Sequence, residues 1–189
     1  PLYLMDRRVV KSTKGVCLVA NRPVKAGPVL LQETPWESFY MHPHSLVHGA
    51  DELLMYYLVY IVDDGPNHAA TCLAVSSDGL RWERPDLGQV KYRGSARNNL
   101  LAAGGTVTID PSAPPARRFL MAGTDQRAGP GQPGLVVDGV ALHTSPDGRT
   151  WTQATGTLAP FTCDCNNQVF FDGSKGRYVA YLRAFPGRR

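Results

Sequence analysis

Ser76-Ser77-Asp78-Gly79-Leu80-Arg81-Trp82 and Ser145-Pro146-Asp147-Gly148-Arg149-Thr150-Trp151 share one pattern, Ser-x-Asp-Gly-x-x-Trp, 69 residues apart. An Asn pair recurs at nearly the same spacing, as Asn98-Asn99 and Asn166-Asn167. Asp and Gly together favour a tight turn: Asp bonds its own following backbone, and Gly accepts positive φ without steric cost. A Trp at a fixed offset from each turn predicts packing between neighbouring sheets. Self-similarity of this length, with about four short strands per unit, is the pattern a β-propeller leaves in its sequence.

The segments around these turns read as strands. Leu53 to Val62 is a continuous apolar run with little alternation, which predicts a strand buried on both faces. Asp63-Asp64-Gly65-Pro66-Asn67 turns it back into Ala69 to Ser76. The same grammar recurs at Phe119 to Gly123, with a Gly/Pro-rich tip at Gly129 to Gly134 and a return over Leu135 to Thr144. It begins a third time with Val169 to Phe171, a turn over Asp172 to Gly176, and Tyr178 to Leu182. A preliminary strand is predicted over Val9-Val10 and Val16 to Ala20. The fold class expected is all-β: a five-bladed β-propeller with about two and a half antiparallel blades in this chain. Residues 1–35 would form a leading strand, 36–96 and 97–163 two blades, and 164–189 the start of the next. Since propellers have typically four to eight blades, the chain reads as the N-terminal part of one longer domain.

Composition narrows the partners. The 189 residues carry a net charge of +4, with basic residues scattered singly or in pairs, so no basic face suited to nucleic acid is expected. No apolar run approaches the roughly 20 residues of a membrane helix, and no charged-then-apolar leader is visible. Cys163 and Cys165 at i and i+2 are poorly placed to bridge each other. His42-Pro43-His44 puts two imidazoles close together, yet nothing in the spacing brings a third ligand to them, so no metal and no cofactor are expected.

Pro28 to Glu37, the blade hairpins, the Ser-x-Asp-Gly-x-x-Trp turns with Arg84-Pro85-Asp86-Leu87-Gly88, and Asp164 to Asp172 ahead of Gly176 to Tyr181 resemble one group. It is the five-bladed β-propeller glycoside hydrolases and their bacterial relatives, the superfamily of invertases, levansucrases, arabinanases and β-xylosidases. The invertase signatures Asn-Asp-Pro-Asn-Gly, Arg-Asp-Pro and Glu-Cys are absent. The resemblance implies a carbohydrate-active protein, extracellular or periplasmic, acting on an oligosaccharide or polysaccharide. The alternative is a propeller that binds glycan or protein without catalysis.

In a propeller the residues just before each innermost strand face the channel mouth. These are Trp36 to His44, Arg97 to Asn99 and Asp164 to Asn167. Glycoside hydrolysis generally needs two carboxyl groups flanking the scissile bond. Asp164 is the expected base or transition-state stabiliser, and Glu37 the expected acid. Arg97, as a planar guanidinium, would clamp a sugar or hold a carboxylate ionised. Asn98, Asn166 and Asn167 would bond sugar hydroxyls. His44 would be a hydrogen-bonding group, and Tyr40 an apolar platform for a sugar ring.

Overall fold

The computed structural model describes residues 11–12, 14–16, 19, 21–62, 68–124, 139–159, 163 and 166–184. Nine strands are described: β1 (Met41–His48), β2 (Leu53–Ile61), β3 (His68–Ser76), β4 (Thr106–Ile109), β5 (Phe119–Thr124), β6 (Val140–Ser145), β7 (Thr152–Ala159), β8 (Gln168–Asp172) and β9 (Arg177–Tyr181). They form three antiparallel sheets in chain order, β1-β2-β3, β4-β5-β6-β7 and β8-β9. The architecture is all-β. Val16 and Val19 of the predicted preliminary strand are exposed and outside any strand, and the rest of that segment, residues 9, 10, 17, 18 and 20, lies outside the described residues. So do both predicted loop tips, at 63–67 and 129–134.

β2 explains why its sequence barely alternates. Leu54 and Tyr56 point to one face and Tyr57, Val59 and Ile61 to the other, and all five are buried. On the first face they pack with Leu73, Leu101, Val107, Phe119 and Met121, a core shared with the second sheet. On the second face they meet Cys72, Ala74 and Leu100, with Trp36, Trp82 and Tyr92 laid over them. A third core, of Ala122, Val140, Ala159, Cys163 and Val169, lies between the second and third sheets. Each sheet therefore packs face to face on the next. Cys72 and Cys163 are free thiols, and burial pushes both above the ordinary value.

The first strands of the three sheets are neighbours in succession: β1 packs beside β4, and β4 beside β8. Ser45 Oγ accepts the Val107 N–H at 2.8 Å, and Thr108 Oγ1 donates to the Val169 carbonyl at 2.6 Å. Tyr178 of β9 donates to Asp110, just past β4, at 2.6 Å. β1 was not foreseen as a strand, and His42 to His44 lie within it rather than before it. Its register against β2 shifts between Pro43 and Ser45, so His44 is an extra, bulged residue. A bulge accommodates the missing Pro43 N–H and re-aims the neighbouring side chains. Here it turns both His44 and Ser45 toward the 105–107 segment that leads β4, where His44 bonds the Gly105 backbone.

The two repeated turns are the same object. Ser76 Oγ accepts the Gly79 N–H at 2.8 Å, and Asp78 Oδ1 accepts those of Leu80 and Arg81, each at 2.8 Å. Ser145 and Asp147 repeat these bonds on Gly148, Arg149 and Thr150 at 2.8–2.9 Å. The backbone N–H groups of Arg81 and Leu80 hold the Asp78 carboxyl below its ordinary range. For Asp147, partial burial opposes the shift and the Thr150 and Arg149 N–H groups outweigh it. Both carboxylates are structural parts of their turns.

Candidate functional site

Glu37 ends a one-turn 3-10 helix, Pro35–Glu37, whose Pro at the first helical position carries no orphan N–H. Its side chain is 0% exposed. Oε1 accepts from Tyr57 Oη at 2.6 Å and from Arg84 Nε at 2.8 Å. Oε2 accepts from the backbone N–H groups of Glu33 and Thr34 at 3.0 and 3.1 Å, and from Arg84 Nη2 at 3.1 Å. Arg84 also pairs with Glu33 at 3.0 Å and donates to the Leu31 carbonyl. The Tyr57 hydroxyl accepts from Asn99 Nδ2 at 2.6 Å, and Asn99 Oδ1 accepts from Trp36 Nε1 at 3.0 Å. The result is one buried chain from Arg84 through Glu37, Tyr57 and Asn99 to Trp36.

Burial alone raises the Glu37 carboxyl. The hydrogen bonds from Arg84, Tyr57 and the Glu33 N–H, together with the Arg84 charge, outweigh it and hold the group below its ordinary value. A general acid needs the opposite bias, since it must carry a proton near its working pH. Glu37 is therefore arranged to stay ionised and hold the leading segment onto the first sheet. Its partner is Arg84 rather than Arg97. Arg97 has a side chain 88% exposed and, among the described residues, pairs with Asp86, at 3.5 Å. Arg97→Ala is accordingly expected to shift stability by no more than about 0.5 kcal/mol in a urea titration.

Asn98 is buried and fully engaged locally: Nδ2 donates to the Val90 carbonyl at 2.7 Å, and Oδ1 accepts the Leu100 N–H at 3.0 Å. Asn167 is buried and accepts the Arg183 N–H at 3.0 Å, which ties the start of β8 to the end of β9. Asn166 is exposed and takes a left-handed φ of 61°, a conformation Asn tolerates better than most residues. Asp164 lies outside the described residues, as does Cys165. The predicted meeting of segments occurs in one case. Trp36 and Glu37 join Asn99 through the largely buried chain, in which Glu37, Tyr57 and Asn99 are each no more than 1% exposed.

The clustered rings of the first sheet lie instead along β1 and the residue pair before it. Tyr40, 42% exposed, stacks on His42 with ring centroids 6.1 Å apart and planes 5° apart. His42 meets His44 edge-on at 5.8 Å. Burial first, then the neighbouring His42, lowers the His44 pKa, against a backbone bond to Gly105 that raises it. His44 is thus neutral at pH 7, a hydrogen-bonding group rather than a charge. This ladder of rings runs along the strand nearest the second sheet. Arg84 and Tyr57 were missed in the sequence, and one signal could have found Arg84. It stands two residues after the repeat Trp, where the second copy has Gln153.

Among the described residues, no group of three or more His, Cys, Asp or Glu side chains could hold a metal ion. Among the same residues, no helix is long and apolar enough to cross a membrane. No protein-family model, no curated protein and no solved structure matches this chain.

Proposed function

We propose that the chain is a run of blades of a carbohydrate-active β-propeller, and that its central face binds an oligosaccharide or polysaccharide for glycosidic cleavage. One observation carries the reading: β1, β4 and β8, the first strand of each sheet, lie side by side in chain order. Sheets that fan in this way bring their leading segments toward a common axis. Along that axis Tyr40, His42 and His44 supply stacked rings and neutral hydrogen bonds, the chemistry that suits a sugar's apolar face and its hydroxyls. The reactive carboxylate in this reading is Asp164. Glu37 is the fastener that keeps the platform in place. The burial of Glu37 also favours a second reading, a glycan-binding propeller without an acid/base pair.

A panel of aryl arabinofuranosides and xylosides, with sucrose alongside, separates the two. Asp164→Asn is expected to lower turnover by about 100-fold or more, as loss of an acid/base group does, while binding stays within about threefold. Full activity in Asp164→Asn removes that residue from the chemistry. Binding without turnover in the unsubstituted protein selects the second reading.

A further inference from the structure

The two copies of the repeat differ in one bond. Trp82 Nε1 donates to the carbonyl of Gly79 at 3.1 Å, inside its own turn. In the second copy the equivalent carbonyl, of Gly148, accepts Tyr56 Oη at 2.7 Å. Trp151 Nε1 is left buried with no hydrogen-bond partner among the described residues. A buried donor without a partner is costly and calls for an explanation.

Trp151 stands in the wall of a cleft of about 430 Å³, lined also by Gln89, Ala102, Ala103, His143, Thr150 and Gln153. That volume falls within the roughly 300–1,000 Å³ of small-molecule sites. The repeat explains why the space is there. Gln153 follows Trp151 by two residues, as Arg84 follows Trp82. The position of Arg84, which pairs with Glu37 in the first unit, thus holds a shorter, uncharged glutamine in the second. Gln89 spans the cleft, donating to the Arg149 carbonyl at 2.9 Å and accepting the Ala102 N–H at 3.1 Å, so the wall is held before any ligand arrives.

None of the lining side chains is a carboxylate, an ammonium or a guanidinium. An indole, an imidazole, a hydroxyl and two amides suit a neutral ligand with many hydroxyl groups and one apolar face. We infer that this cleft is a saccharide-binding subsite, separate from the β1 platform, in which Trp151 and Gln153 are the recognising residues. The choice of saccharide rests on the proposed carbohydrate role; the place of the site does not.

The probes are the neutral disaccharides cellobiose, maltose and xylobiose, titrated against the intact chain with tryptophan fluorescence and calorimetry as readouts. At least one is expected to bind. Gln153→Arg, which fills the cleft as Arg84 fills its counterpart, should weaken that binding about tenfold or more. Trp151→Phe keeps the ring packed on Tyr56 but lacks the N–H; it should weaken binding several-fold and remove the fluorescence change. Gln153→Ala, at an exposed side chain, guards against a folding artefact and should weaken binding at an unchanged melting temperature. If Tyr40→Ala removes binding while all three cleft variants retain it, the subsite is wrong and the carbohydrate role survives. If none of the disaccharides binds, both fall.

Discussion

Glu37→Ala is expected to destabilise the protein by about 3–5 kcal/mol, the range seen when one partner of a buried ion pair is removed. Arg84 has a side chain only 15% exposed, and without Glu37 the carboxylate left to it is that of the exposed Glu33, among the described residues. Tyr57 loses its acceptor, and the N–H groups of Glu33 and Thr34 lose theirs. Urea midpoints measure the loss, and a change below 1 kcal/mol would contradict the buried network. The same group sets a pH window. Its pKa is lowered on folding from an ordinary 4.5, so below that value the unfolded chain binds the extra proton and stability rises with pH. The contribution is complete above about pH 4.5 and is lost as the pH falls through the folded value. Asp78, Asp110 and Asp147 shift in the same direction. The pH dependence of the difference between wild type and Glu37→Gln isolates the Glu37 share.

Gly148→Ala is expected to be far more damaging than Gly79→Ala, although both glycines occupy the same place in the repeat. Both have left-handed backbones, φ +73° and +75°, which an L-residue adopts at a cost of about 1–2 kcal/mol. A methyl group on Gly79 would meet only Leu53 Cδ1, at 3.3 Å. On Gly148 it would run into the Tyr56 hydroxyl and lie 2.8 Å from Leu54 Cδ1 and 3.3 Å from Phe119 Cε1. Tyr56 and Leu54 are fully buried, so the overpacking adds about 1–3 kcal/mol. The total for Gly148→Ala is then about 2–5 kcal/mol, against about 1–2 kcal/mol for Gly79→Ala. Equal losses in chemical denaturation would mean that the second turn does not press into the first sheet.

The strands that were legible in the sequence are those whose residues carry their own reason to be extended. Leu53 to Val62 and Tyr178 to Leu182 are rich in β-branched and aromatic side chains, Phe119 to Gly123 is a short apolar run, and the three match β2, β5 and β9 within a residue or two. β1, β4 and β7 were not legible. Met41–His48 holds a Pro and three His, Thr106–Ile109 is only four residues long, and Thr152–Ala159 is mostly Thr, Gln and small residues with no apolar run. Each is extended because a neighbouring strand offers it a row of backbone partners, a context propensity does not contain. The site divides in the same way. The turn roles of Asp78 and Asp147 follow from local chemistry and were read correctly. Glu37 and Asn98 looked like ligand-facing groups because polar residues beside apolar strands carry no mark of their burial.

The apolar strands β2, β5 and β9, and the equivalence of the two Ser-x-Asp-Gly-x-x-Trp turns, were determined by the chain alone, because tight turns and apolar strand runs depend on residues close together in sequence. Which cation neutralises Glu37, and which repeat keeps an unfilled cleft, were decided by the tertiary structure. Arg84 is 47 residues from Glu37, and Gln153 is 51 from Ala102. Only the stacking of one sheet on the next converts those separations into contact or into empty space.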